Sequence, residues 1–285
     1  VNRSPLTCPL SSFILLYGLA ATLCLTGTPL ARAAPSDAIT TLAADGVTIA
    51  ILGGKPAAPA PTVFIFSMDR RTSLENPSFA RSGHLLRESD GVLCVSLDVP
   101  AHGDDARPAE SGLPGWKARL ARNENLVATF TRQASLALDY LVRQGYSDSK
   151  RIAVIGVSRG GFLALHFMAA DSRVAAVAAL APVTHLPTVT EFAALKNHPL
   201  TESLSILHLV PKLAARPIWI VVGNRDERVG TDNCINLMQA LYAATPAGMK
   251  LCPAELHLLP GENHRQPPNS HEAAAAWLSK TIRKR

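Results

Sequence analysis

From residue 38 onward, short apolar runs alternate with longer stretches in which apolar positions recur at helical spacing. The runs at 48–52, 62–66, 92–97, 151–155, 174–180, 217–222 and 255–259 read as strands, the second preceded by the proline-rich connection KPAAPAP. Helical spacing predicts helices over 77–88, 116–143, 159–170, 232–243 and 270–283, the long second one ended by Gly145 in the C-cap position. Strands and helices in this alternation imply the α/β class, a mostly parallel doubly wound sheet with helices on both faces. In such sheets ligands sit at the carboxyl ends of the strands. Residues 183–216 break the rhythm. They are too many for a simple connection and carry helical fragments near Phe192 and Leu204, so a small cap insertion over the carboxyl edge is expected. One domain is expected over residues 34–285.

Residues 1–33 follow a different pattern: a lone Arg3, an apolar run over 13–25, and the small-residue string ending at Ala33 and Ala34. That is the form of a secretory signal cleaved near Ala33/Ala34. The alternative, an N-terminal transmembrane anchor, normally needs about 20 apolar residues. Cleavage removes Arg3 and Arg32, taking the net charge from +6 to +4, and removes Cys8 and Cys24. Basic residues are scattered apart from a C-terminal group, so no nucleic-acid partner is expected. Export permits disulfides. Cys94 sits in an apolar run and reads as a small buried hydrophobe. Cys234 and Cys252, placed at opposite edges of the sheet, are expected to lie too far apart to bridge.

Chemistry concentrates where strands end. Gly156-Val-Ser-Arg-Gly160 matches the Gly-x-Ser-x-Gly nucleophile elbow, in which flanking glycines let a strand and a helix approach around a serine in a strained turn. By average composition such a match arises by chance in roughly one protein of this size in ten. Its context strengthens it, because the strand 151–155 runs into the motif and the helix 159–170 runs out. A serine hydroxyl needs a base, and the base an orienting acid. Asp226 follows the strand PIWIVVGN and His264 follows ELHLLPG, in the serine, acid, histidine order of elbow enzymes. Asp232 reads better as a helix-start residue, His257 as a strand residue, His271 as part of the last helix, and Glu262 as a solvated loop residue.

GVSRGG, GNRDERV and GENH together resemble the α/β-hydrolase superfamily, particularly its prolyl-oligopeptidase-like and dienelactone-hydrolase-like branches. The stretch ALDYLVRQGYSDSKRIAVIGVSRGG is similar to the helix, turn, strand and elbow of those branches, and the likeness extends over residues 45–285. In the dienelactone branch the nucleophile is typically cysteine, so Ser158 leans toward serine esterases and peptidases. The resemblance implies an oxyanion hole with one main-chain N–H from Arg159 and one from the loop after strand 62–66. There the superfamily usually carries His-Gly, and this chain carries Ser67-Met68-Asp69. The Met68 N–H is the expected second donor, since a main-chain amide requires no particular side chain.

Other residues invite weaker readings. The His102-Gly-Asp-Asp105 run lacks a helix-spaced partner for a metal, and Asp98 to Gly103 resembles a structural loop of these hydrolases, so no metal is expected. Arg159 either meets a substrate carboxylate or lies along its helix, and His185 and His198 of the cap either touch substrate or are solvated. The expected protein is an exported serine hydrolase that cleaves a small-molecule carboxylic ester through an acyl-enzyme, with no cofactor and no stable membrane insertion after signal removal. A peptidase of prolyl-oligopeptidase type remains the nearest rival; it is expected to lack the large N-terminal gating domain, because the stretch between residues 33 and 62 is too short for one. A non-catalytic binding protein on the same fold is the other.

Overall fold

Along the strand Ala60–Phe66, side chains alternate between two cores: Val63 and Ile65 enter one, Phe64 and Phe66 the other. This period of two, with apolar residues at both phases, is what a strand covered on both faces requires. The computed structural model describes residues 38–283, and the expected signal over residues 1–33 lies outside them. In chain order the elements are β1 (Ile39–Ala44), β2 (Val47–Leu52), β3 (Ala60–Phe66), α1 (Arg70–Glu75), α2 (Pro77–Asp90), β4 (Leu93–Leu97), α3 (Gly112–Ala121), α4 (Leu126–Arg143), β5 (Ser147–Val157) and α5 (Arg159–Ala170). There follow β6 (Val174–Leu180), α6 (Pro199–Ser203), α7 (Val210–Leu213), β7 (Ile218–Arg225), α8 (Thr231–Ala243), β8 (Ala254–Glu262) and α9 (Ser270–Arg283).

The strands form one sheet in the order β1-β2-β4-β3-β5-β6-β7-β8. Only β1–β2 and β2–β4 pair antiparallel; the remaining pairs are parallel, as expected for a doubly wound sheet. Residues of α3, α4, α5 and α8 pack on the Phe64 and Phe66 face, among them Trp116, Leu138, Phe162 and Leu237. The other face is covered by α1, α2 and α9 through Leu74, Leu86 and Leu278. Because β3, β5, β6, β7 and β8 run the same way, Ser67, Ser158, Asp226 and His264 all emerge at one edge. No helix among the described residues is long and apolar enough to cross a membrane.

Several boundaries differ from the sequence expectation. The helix expected over 116–143 is two: the chain turns at Asn123 with φ of 60°, and Asn125 caps α4 through its side-chain oxygen, which accepts the Ala128 N–H at 2.9 Å. The apolar spacing carries across this corner because both helices face the same core. Strand β1 was not foreseen; it forms a hairpin with β2 through Asp45 and Gly46, both at positive φ. Residue Gly145 follows the α4 cap Gln144 at φ of 71°, the left-handed position where glycine carries no Cβ penalty.

Residues 183–216 form short helical pieces, including α6 and α7, rather than a plain connection. The cysteine geometry also differs. Since β8 pairs with β7, Cys234 on α8 and Cys252 before β8 belong to the same edge of the sheet, at opposite ends of its strands. Both are free, as is Cys94. Burial pushes the thiols of Cys94 and Cys234 up to about 12, that of Cys234 also through the charge of Asp226.

Replacing Asn125 by alanine removes the α4 cap without touching the core. The urea midpoint should fall by the equivalent of about 1 kcal/mol with an unchanged denaturant slope. A change in slope would show that the corner between α3 and α4 had reorganised.

Candidate active site

Three glycines explain where the elbow serine sits. A Cβ on Gly160 would meet the Phe66 carbonyl oxygen at 1.8 Å, one on Gly156 would meet the Gly160 oxygen at 2.2 Å, and one on Gly161 would meet Pro182 at 2.7 Å. The end of β3, the end of β5 and the start of α5 therefore touch backbone to backbone. The chain reverses there through Ser158, held at φ of 56° and ψ of −117°, with its N–H donating to Leu180 O at 2.9 Å. A non-glycine residue at such angles is strained and persists only where its surroundings fix it.

Asp226 follows β7 and is 1% exposed. Its Oδ1 accepts main-chain N–H groups of Arg228 and Val229 at 3.0 and 3.2 Å, while Oδ2 lies 2.8 Å from Nδ1 of His264. The loop is closed by Thr231, whose hydroxyl donates to Gly223 O at 2.6 Å and accepts the Asp226 N–H at 3.1 Å. His264, partly exposed after β8, places Nε2 2.8 Å from Ser158 Oγ. An ionised carboxylate can only accept, so Nδ1 carries the proton toward Asp226 and Nε2 is left to accept from the serine hydroxyl.

The rival residues are engaged elsewhere. His257 stacks on Trp219 at 5.0 Å within β8, His271 on α9 meets Ser82 Oγ at 2.8 Å, Asp232 lies in the first turn of α8, and Glu262 is exposed at the end of β8. The His102 to Asp105 run ties its own loop together. Asp98 accepts the Arg70 and Asp104 N–H groups, Asp105 pairs with the buried Arg119 at 2.5 Å, and His102 Nδ1 faces Pro100 O.

The expectation for Met68 needs correction. Its main-chain N–H donates to Ser73 Oγ at 3.0 Å, and Asp69 caps α1 by accepting the Arg71 and Thr72 N–H groups. The loop after β3 thus winds directly into a helix, and Ser73, one turn in, takes the amide expected to face substrate. Ser67 is the residue of this loop that borders the cavity. It is 3% exposed, and its hydroxyl makes no hydrogen bond to the described residues. The Arg159 N–H occupies the first position of α5, where no intrahelical acceptor exists.

The cavity in front of Ser158 has a volume of about 560 Å³. Trp116, Val183, Leu186 and Phe192 give it apolar walls, three of them from the 183–216 segment, while His185 and His198 do not line it. Arg228 also borders it, a placement not read from the sequence although its position two residues after Asp226 was the available signal.

The sequence profile described as the prolyl oligopeptidase family matches residues 116–285, a stretch that contains Ser158, Asp226 and His264. The chain belongs to this family. It is 31% identical over 127 residues to the acylamino-acid-releasing enzyme of Arabidopsis thaliana, covering 37% of this chain and 17% of that protein. It is 24% identical over 163 residues to the inactive dipeptidyl peptidase 10 of Mus musculus, covering 54% of this chain and 20% of that protein. The chain thus spans about a fifth or less of the length of these relatives. The solved acetyl xylan esterase of Paenibacillus sp. R4 superposes with a TM-score of 0.61 at 20% identity, over 83% of this chain and 81% of that one. The fold is accordingly that of the α/β-hydrolase superfamily, and the profile leaves Ser67-Met68-Asp69 outside its range.

Gly160→Ala tests the close approach on which the elbow depends. Because the clash is with backbone, the variant should lose labelling by a fluorophosphonate probe at Ser158 and melt at a clearly lower temperature by circular dichroism. An unchanged melt with full labelling would show that β3 and α5 can separate freely.

Proposed function

We propose that the chain is a serine hydrolase that cleaves a carboxylic ester through an acyl-enzyme, and that it works after export. The observation that carries the reading is the continuous relay from Asp226 through His264 to Ser158, with both hydrogen bonds at 2.8 Å. Ser158 Oγ attacks the ester carbonyl as His264 Nε2 takes its proton. The imidazolium, faced by Asp226, then passes that proton to the departing alcohol. Water attacks the acyl carbon as it gives a proton to the same nitrogen, and the imidazolium returns that proton to Ser158 Oγ as the acid departs. The negative oxygen formed in each half-reaction is met by the Arg159 N–H at the positive end of α5 and by Ser67 at the end of β3. No step requires a cofactor.

The likeness to a solved esterase of similar size supports an ester, and the family supports a second reading, an amide-cleaving peptidase. Rates on p-nitrophenyl esters of increasing chain length, set against Xaa-Pro and alanine anilides, separate the two. Export is tested by mass spectrometry of secreted protein, with an N-terminus near Ala34 expected.

Fluorophosphonate should label Ser158, and Ser158→Ala should abolish the label. Asp226→Asn should fold normally and lose about four orders of magnitude in turnover, as expected for an imidazole held in the wrong tautomer. A loss below about tenfold would assign the orienting role to another carboxylate.

Ser67→Ala probes the oxyanion side separately. If its hydroxyl meets the oxyanion, turnover on the best ester should fall by about 100- to 1,000-fold with little change in KM. Near wild-type turnover in the folded variant would leave the role to a main-chain N–H of the loop.

A further inference from the structure

Three arginines, Arg159, Arg228 and Arg265, line the cavity in front of Ser158, and none of its lining residues is an aspartate or glutamate. Their charges are not balanced alike. Arg228 pairs with Glu191 at 2.6 Å. Arg159 has no such partner: its Nε donates to Ser67 O at 3.0 Å and its Nη2 touches Met68 Sδ, a weak acceptor, while no carboxylate of the described residues lies within ion-pair distance. Elsewhere in the fold, by contrast, Arg70, Arg107, Arg119, Arg122, Arg143 and Arg173 each meet at least one acidic side chain.

The guanidinium of Arg159 is therefore a half-buried cation, unmatched by a carboxylate, beside another cation. Burial, and after it the charge of Arg228, lower its pKa, against a smaller opposing effect of Glu191. It still stays charged, because a guanidinium does not deprotonate in proteins. One carboxylate against two guanidiniums leaves the group of Arg159, Arg228 and Glu191 at a net +1, with Arg265 a further lining cation. An unpaired charge held partly out of water is unfavourable, and the fork of an arginine is matched geometrically by a carboxylate.

We propose that this cavity contains an anionic subsite in which Arg159, assisted by Arg228, receives a carboxylate carried by the substrate next to its ester bond. The proposal rests on the hydrolase reading and narrows it to an ester of a dicarboxylic acid or of a hydroxy- or phenolic acid. Arg159 lines the same cavity as Ser158, and its Nε is held at Ser67 O on that cavity's border, so the carboxylate would share the cavity with the carbonyl under attack. The role belongs to the Arg159 side chain, distinct from that of its main-chain N–H.

The test compares matched ester pairs. p-Nitrophenyl hydrogen glutarate against p-nitrophenyl butyrate places the carboxylate on the acyl side; 4-acetoxybenzoate against phenyl acetate places it on the leaving side. The acidic member of at least one pair should have a kcat/KM about tenfold higher or more, the scale of a charge-assisted hydrogen bond, and added salt should shrink the difference. In Arg159→Met the ratio should approach one, and in Arg159→Lys part of it should remain. Reading the ratio cancels any loss common to both esters.

A catalysis-free arm uses Ser158→Ala protein, titrated calorimetrically with glutarate monomethyl ester, with weaker binding expected when Arg159→Met is added. Ratios near one for both pairs in the wild type, or a preference undiminished in Arg159→Met, would overturn the subsite. Absence of fluorophosphonate labelling and of turnover on every ester would overturn the hydrolase reading instead, and the Ser158→Ala titration would still decide the subsite.

Discussion

The close contact between the Phe66 carbonyl and Gly160 is the constraint from which the rest of the site follows. With no side chain at Gly160, α5 starts directly against the end of β3, and β5 must then turn through Ser158 at a positive φ to enter the helix. The strain is sustained by what surrounds it. Phe66 packs edge-on against Phe130 at a centroid distance of 4.9 Å and near Phe167, tying β3 to α4 and α5. Core aromatic packing of this kind is why a strained turn survives in a fold whose net stability is only several kcal/mol.

A second constraint is electrostatic. Asp226 is buried, and an isolated carboxylate there would be unfavourable. Two main-chain N–H groups meet one oxygen and the imidazole meets the other, so the charge is matched at each acceptor. The same loop carries Arg228 to the cavity wall. One short turn after β7 thus orients the His264 imidazole and brings a positive charge to the wall of the cavity in front of it.

Much of this was legible in the chain. Seven of the eight strands could be read from apolar runs, and Ser158, Asp226 and His264 stood out because each follows such a run where a parallel sheet exposes its ligand-binding edge. What was hidden depends on contacts that spacing does not encode. The Met68 amide looked available until Ser73 was found folded back onto it, and the single long helix looked continuous because α3 and α4 bury their apolar faces in the same core. β1 was missed because its exposed positions, Thr40, Thr41 and Ala43, leave no run of apolar residues, and its pairing is fixed by the Asp45-Gly46 turn. The cysteines were placed wrongly because strand order, unlike strand identity, is a property of the whole sheet. Arg159 was visible as a residue but not as an unpaired charge, since it is the packing that leaves no carboxylate of the described residues within ion-pair distance of it and gives Glu191 to Arg228.

The capping of α1 by Asp69 and the hold of Ser73 on Met68 tie the first turn of this helix to the loop that borders the cavity. First turns fray readily, because their amides lack intrahelical acceptors. Here the first turn of α1 also holds the amide of Met68, which belongs to the peptide that follows Ser67. The first turn of α1 and the cavity border at Ser67 therefore share one hydrogen bond, so a change at Ser73, which touches nothing in the cavity, reaches its wall through the Met68 amide.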